Sequence, residues 1–205
     1  MSDTHHPKYC ILDFDGTLYS GNSFIDFAIF TKGRMGYTKA LIKSLPWIIS
    51  WKLNICTNSI AKQKLFSHLF GGMGVDTFNS FCYDFSKIIQ SKVNKYLLKE
   101  VESLISEGFT PIIATASIES WVKPWAEEIG IKNVVATMIE VKSNKVTGLF
   151  ATPNCYGEEK VNRVLLCKPN LQTAYTVFYT DSITADAPLI SITSKHFIIK
   201  KGTIK

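Results

Sequence analysis

An α/β fold built on a parallel sheet is the architecture the sequence predicts, and three observations carry that expectation. The segment Tyr9 to Phe14 (YCILDF) is apolar on both faces, as a central parallel strand is, and it runs out into carboxylates. Beyond residue 92, helix-like and strand-like segments alternate, which implies parallel strands joined and covered by helices. Between these parts, Phe24 to about Ser91 shows only helical periodicity.

Phe24, Ile25, Phe27 and Ala28, then Leu41, Ile42, Leu45, Ile48 and Ile49, then Leu65, Leu69 and Phe70 mark that helical stretch before the Gly71-Gly72 break. Residues 20–91 are therefore expected as an all-helical insert, and residues 1–19 with 92–205 as the α/β core. Val93 to Glu107 sets Leu97, Leu98, Val101, Leu104 and Ile105 on one helical face, stops at Gly108 and passes into a second buried strand, Pro111 to Thr115. Trp121 to Ile129 is expected as a helix ending at Gly130. Val134 to Val141 and Lys145 to Phe150 read as the two strands of a hairpin about a Ser143-Asn144 turn. A helix from Glu158 to Cys167, a strand from Thr176 to Tyr179, a short helix near Pro188 and a last strand from His196 to Ile199 complete the alternation.

Composition narrows the function. With 46% hydrophobic and 20% charged residues, the 205-residue chain is far from the composition of disorder and can bury the core of one domain with a sizeable insertion. Its formal charge of +6 favours anionic partners, among them phosphate esters, nucleic acid and acidic membrane surfaces, without choosing one. Cys10, Cys56, Cys82, Cys155 and Cys167 are widely spread with no C-x-x-C pair, so reduced thiols in a cytoplasmic protein are expected. Met1 to Pro7 has no apolar run of signal-peptide type, which agrees with that location. The most apolar segment, Ala40 to Trp51, is broken by Lys43 and Pro46 and falls short of the roughly 20 apolar residues of a membrane span.

The chemistry gathers at strand ends. In an open α/β sheet ligands sit beyond the carboxyl ends of the strands, and three expected strands end in Asp13/Asp15, Thr115/Ser117 and Asp181. DFDGTL, Asp13 to Leu18, places two carboxylates two residues apart, then Gly16, which lets the backbone approach an anion, and the Thr17 hydroxyl. One carboxylate can attack phosphorus while the other protonates the leaving oxygen and then activates water. A lone D-x-D is more often a pair of solvated loop acids. Here Thr180-Asp181-Ser182 ends a second apolar strand and Asp186 follows, adding hard oxygen ligands of the kind Mg2+ takes.

This ordered set resembles the haloacid dehalogenase superfamily, whose signature runs D-x-D-G-T-L, a Ser or Thr after a hydrophobic strand, a Lys at a helix start, and paired acids after a later strand. The parts stand here as DFDGTL at Asp13, IIATAS ending at Ser117, YGEEK ending at Lys160 and YTDSITAD ending at Asp186. The resemblance implies a Rossmann-like parallel sheet with helices on both faces and a helical cap between the first and second motifs. It implies roles as well. Asp13 would be the nucleophile and Asp15 the general acid/base. Thr115, with the backbone N–H groups of Phe14, Asp15 and Ala116, would hold phosphoryl oxygens, and Lys160 would neutralise an aspartyl-phosphate. Mg2+ would be bound by the Asp13 and Asp181 carboxylates and the Asp15 main-chain carbonyl. Asp186 would support the metal's water shell or orient Lys160, and Gly16, Thr17 and Ser182 would stand in support. Dehalogenases lack a carboxylate at the position of Asp15 and transport ATPases carry Thr there, so the resemblance implies a phosphatase acting on a phosphate monoester. The alternatives are a phosphotransferase or phosphomutase, and a catalytically silent basic protein that binds membrane or nucleic acid.

With the hairpin and the NCYGEEKV run, the insert resembles that of the phosphoserine-phosphatase-like subfamily, in which serine-phosphate and phosphatidylglycerophosphate phosphatases both occur. Phosphoserine phosphatases place a Glu shortly after the first motif to hold the substrate's ammonium; Tyr19 to Phe27 offers only Asn22 and Asp26. The expected substrate is a small or lipid-linked phosphate ester, with no nucleic acid as partner. Tyr37 to Leu53 combines Trp47, Trp51 and several aliphatic residues with Lys39, Lys43 and Lys52, a composition compatible with a membrane surface at the inner face and, more commonly, with a helix packed on its neighbours. Lys32 and Arg34 suit a second anionic group of the substrate or plain surface charge. His5, His6, His68 and His196 are given no metal or catalytic role, and Trp121 and Trp125 are expected in the core rather than as a base-stacking platform. Gly71, Gly72 and Gly74 do not follow a strand, as a phosphate loop would.

Overall fold

The computed structural model describes residues 6–204, so His5 lies outside the described residues. In chain order the elements are β1 (Lys8–Leu12), α1 (Ser23–Lys52), α2 (Asn58–Phe70), α3 (Val75–Ser91), α4 (Lys95–Ser106), β2 (Phe109–Ile118), α5 (Glu119–Glu128) and β3 (Asn133–Thr137). There follow β4 (Ile139–Lys142), β5 (Lys145–Phe150), α6 (Glu158–Cys167), β6 (Tyr175–Thr180), α7 (Ala187–Ile190), β7 (Lys195–Lys200) and β8 (Thr203–Ile204). The main sheet runs β3-β2-β1-β6-β7-β8, parallel throughout except for the antiparallel edge strand β8.

Side chains alternate across a strand, and both faces of β1 are used. Cys10 and Leu12 join Val101 and Leu104 of α4 and Trp125 of α5 in one apolar cluster. Tyr9 and Ile11 join Val161 and Val164 of α6 and Leu189 of α7 in another. Helices therefore cover both faces, which is why the β1 sequence is apolar at every position from Tyr9 to Leu12. From β1 the chain builds β2 and β3 to one side and β6 and β7 to the other. The three strands with polar carboxyl ends, β2, β1 and β6, are thus neighbours at the point where the strand order reverses.

The insert is helical as expected. Asn22 caps α1 by accepting the Ile25 N–H at 3.1 Å, and Thr57 does the same for the Ile60 N–H of α2. Gly33, with φ 67° and ψ 167°, breaks the regular path of α1, and Pro46 removes one further backbone donor within it. Phe27 of α1 stacks on Trp121 of α5 with centroids 4.5 Å apart and meets Phe70, Phe78 and Phe85 around it. Insert and sheet layer share one apolar cluster, and Trp121 and Trp125 lie fully buried in it, as the sequence suggested.

Two expectations need correction. The segment Val134 to Val141 is not one hairpin strand: residues 133–137 enter the main sheet beside β2, and only residues 139–142 pair antiparallel with β5. The division falls at Met138, whose N–H donates to Thr152 Oγ1 while its carbonyl accepts from Ala151, so the backbone leaves the main sheet there. Burial of Val135, Ala136 and Thr137 at the end of β3, against exposure of Val141 and Lys142 on β4, is the trace of the split. The edge strand β8 was not expected, because its two residues are too few to show a period. Gly72 serves the turn after α2, its N–H bonding the Val146 carbonyl, and forms no phosphate loop. Among the described residues no helix is long and apolar enough to cross a membrane.

Candidate active site

Asp13 leaves β1 still tied to the sheet, its N–H donating to the Tyr179 carbonyl at 2.9 Å. Lys160, in the first turn of α6, donates from Nζ to Asp13 Oδ1 at 3.0 Å and to Asp186 Oδ1 at 2.6 Å. Asp186 Oδ2 in turn accepts from the Thr180 hydroxyl at 2.5 Å. All three charged side chains are buried. Burial lifts Asp13 well above the usual carboxylate range, with Lys160 pulling the other way and Asp186 and Asp15 adding to the rise. Burial also opposes charge on Lys160, but the Asp13 and Asp186 carboxylates outweigh it and hold the ammonium above its ordinary value. With both oxygens engaged, Asp186 stands against Lys160 and fixes its direction.

Asp15 sits in a different environment. Its Oδ1 accepts the Ser23 N–H at 2.7 Å and its Oδ2 the Ser117 hydroxyl at 2.5 Å. The Ser23 and Ser117 hydroxyls are 2.7 Å apart, and Trp121 Nε1–H donates to Ser23 Oγ at 3.3 Å. Loss of hydration raises the Asp15 pKa against these hydrogen bonds and against the positive charge of Lys62. The sequence marked Ser117 as a polar strand end without assigning it a partner, and it missed Ser23, whose contact depends on how α1 docks.

The remaining motif residues line up around the same loop. Phe14 is buried against Tyr19 and Trp125, so only its backbone can face a ligand. Gly16 has φ 76°, and a Cβ there would run into the Asp181 carboxylate, which is packed directly on the loop backbone. Thr17 Oγ1 is buried without a hydrogen-bond partner among the described residues. Thr115 Oγ1 accepts the Ser117 N–H at 3.0 Å at the end of β2. Ser182 instead organises a turn, its hydroxyl accepting the Ala185 N–H and its carbonyl the Asp186 N–H.

This donor set fits a hard cation. Asp181, like Asp13 and Asp15, is raised, by loss of hydration first and then by the charges of Asp186 and Asp15, the signature of carboxylates crowded together. No three His, Cys, Asp or Glu side chains make a metal cluster among the described residues. The set expected from the sequence has two carboxylates, Asp13 and Asp181, and one main-chain carbonyl, Asp15, all oxygen ligands of the type Mg2+ takes.

Beside Asp15 opens a cavity of about 370 Å³. Phe24, Ile25, Tyr37, Ile48 and Trp51 of α1 and Leu65 of α2 give it apolar walls, and among the described lining residues Lys62 is its one cation and Asp15 its one carboxylate. Lys62 is part-buried; its Nζ donates to the Ala116 carbonyl at 2.5 Å and to Asn154 Oδ1 at 3.1 Å, and lies over the Phe24 ring. Thr137 Oγ1 bonds the same Ala116 carbonyl at 2.9 Å. Loss of hydration lowers Lys62 to about 8, with Asp15 acting in the opposite sense. Lys62 belongs to no motif, and Asn154, though it opens the NCYGEEKV run, had no role assigned from the sequence. Lys32, by contrast, lies over the Phe70 ring away from this cavity, and Asp26 is taken up by the Tyr19 hydroxyl and Lys92.

The model of the haloacid dehalogenase-like hydrolases matches residues 10–191, and the chain belongs to that family of enzymes. Comparison with curated proteins gives no match. Among solved structures, a protein of unknown function from Bordetella pertussis Tohama I is 21% identical, with 93% of this chain and 89% of that one covered at a TM-score of 0.77. A phosphoserine phosphohydrolase-like protein from Francisella tularensis is 16% identical over 92% and 85% of the two chains at a TM-score of 0.67. A phosphoserine phosphatase in an analogue of its phospho-aspartyl intermediate is 16% identical over 93% and 85% at 0.63. These share the fold with this chain.

Proposed function

We propose that the chain is a cytoplasmic, Mg2+-dependent phosphatase that hydrolyses a phosphate monoester through an aspartyl-phosphate on Asp13. The observation that carries this reading is the contrast between two carboxylates two residues apart: Asp13 is bonded by an ammonium, Asp15 by two serines. Lys160 holds Asp13 Oδ1, leaving Oδ2 to attack phosphorus. Asp15 gives its proton to the leaving alkoxide as the P–O bond breaks, then takes one from the water that hydrolyses the acyl phosphate. Thr115 and the N–H groups of Phe14, Asp15 and Ala116 would receive the equatorial oxygens. Mg2+, held by Asp13, Asp181 and the Asp15 carbonyl, would offset the negative charge that phosphate and carboxylates bring together. That a solved structure of the same fold is an analogue of a phospho-aspartyl state supports the intermediate.

The cavity supports a substrate with an apolar part and an anionic or polar group in reach of Lys62. Among the described lining residues Asp15 is the one carboxylate for an ammonium, so phosphoserine is expected to be a poor substrate. Phosphate release from a panel of esters with 5 mM-range Mg2+ or excess chelator tests the reading: release should fall by about a hundredfold or more on chelation and return with Mg2+. Chelator-resistant release would overturn the metal-dependent mechanism.

Lys62→Met should raise KM about tenfold with little change in kcat, the loss of one charge-assisted contact. In the wild type KM should climb above pH 8 as Lys62 gives up its proton. Stability moves the other way. The folded pKa of Lys62, about 8, lies below its ordinary 10.5, so the unfolded chain binds more protons between those values and stability rises with pH across that window. Thermal melts of wild type and Lys62→Met between pH 8 and 10.5 should differ in this slope; parallel slopes would remove Lys62 as the titrating group.

A further inference from the structure

The outer face of α1 carries apolar side chains that the fold leaves in solvent. Met35, Ile42, Leu45 and Ile49 follow at intervals of seven, three and four residues, which places them on one side of the helix beyond Gly33, and Met35 is 72% and Ile42 59% exposed. Leu53 and Ile55 extend the exposed ridge past the helix end. The opposite side is spoken for: Ala40 and Ser44 are buried, and Trp47 lies against His68 of α2. Exposed Lys39 and Lys43 edge the ridge. Between Asp26 and Asp76 the chain holds seven Lys or Arg residues and no Asp or Glu.

A solvated helix face ordinarily mixes charge signs. An apolar ridge edged by ammonium groups, on a stretch of chain with no carboxylate between Asp26 and Asp76, complements an anionic bilayer: the acyl boundary takes the ridge and headgroup phosphates take the lysines. Nucleic acid has no use for the ridge, and a second copy docked face to face would set lysines against lysines. The same helix turns Ile48 and Trp51 into the cavity that ends at Asp15.

We propose that α1 docks the protein on an anionic lipid bilayer and that its substrate is the phosphate monoester of a membrane lipid, entering the cavity past Ile48 and Trp51. The substrate half rests on the phosphatase reading above; the docking half does not.

Flotation of the full chain with phosphatidylcholine vesicles, with and without roughly a third phosphatidylglycerol, separates the two. Binding should favour the anionic vesicles by about tenfold or more and weaken with salt. Ile42→Glu/Ile49→Glu should lose about tenfold or more in vesicle binding while hydrolysing a water-soluble aryl phosphate as the wild type does. Asp13→Asn protein should float like wild type. Phosphatidic acid placed in the vesicles should be dephosphorylated faster by wild type than by Ile42→Glu/Ile49→Glu. Equal binding to neutral and anionic vesicles, binding that survives Ile42→Glu/Ile49→Glu, a dimer that buries the ridge, or salt-dependent duplex DNA binding tighter than vesicle binding would each overturn the docking. Vesicle binding without hydrolysis of either ester would retain the docking and overturn the substrate.

Discussion

Asn in place of Asp13 is expected to lower phosphate release by about a thousandfold or more while the protein stays folded. The amide keeps the shape of the side chain, and its oxygen can still accept the Lys160 hydrogen bond now made at 3.0 Å. What it loses is the anionic oxygen that attacks phosphorus. The stability side is a near-balance: burial disfavours the ionised Asp13 carboxylate, so neutralising it relieves a cost, and the same change weakens the attraction to Lys160. A melting temperature within a few degrees of wild type, with Mg2+ titrated in both proteins, would show that the loss is chemical. Release within tenfold of wild type would remove Asp13 as the nucleophile.

The first strand and its carboxylates were legible because their signal is local. YCILDF needs only its own side chains to read as a doubly covered strand, and DFDGTL follows without a break. The order of motifs along the chain then became adjacency in space, because β2, β1 and β6 are neighbours in the sheet. The contacts made around Asp15 were not legible. Ser117 reaches it from 102 residues away, and Lys62 meets Ala116 across 54, distances that no periodicity records. The insert supplies Ser23 and Lys62, and where its helices land is decided by rings such as Phe27 on Trp121 rather than by any motif. Trp121 was foreseen as core, yet its indole N–H also bonds Ser23, which touches Ser117 and holds Asp15. The packing of the insert and the setting of the acid are therefore one structure.

That arrangement explains how two carboxylates so close in sequence can take different roles. Asp13 and Asp15 both lose hydration, but only Asp13 gains an ammonium within hydrogen-bond distance, while Asp15 receives neutral donors and a more distant charge from Lys62. Under the proposed phosphatase reading, the ammonium beside Asp13 suits a nucleophile and the neutral donors around Asp15 suit a proton donor.

The Lys160→Met variant should suffer in both respects. Met fills the space of the side chain but leaves the Asp13 and Asp186 carboxylates buried without their shared cation, a change that costs about 3–5 kcal/mol where one member of a buried ion pair is removed. For a chain of this size that is a melting point lower by about 10 °C. Phosphate release should fall by about a hundredfold or more, since no preplaced charge remains to meet the acyl phosphate on Asp13. Lys160→Met/Asp186→Asn separates the two losses. The amide removes one stranded charge and still accepts the Thr180 hydroxyl, now at 2.5 Å, so the double variant should regain several degrees of melting temperature without regaining turnover. If turnover returned together with stability, Lys160 would be a structural lysine, and the charge facing the phosphoryl group would have to come from elsewhere in the site.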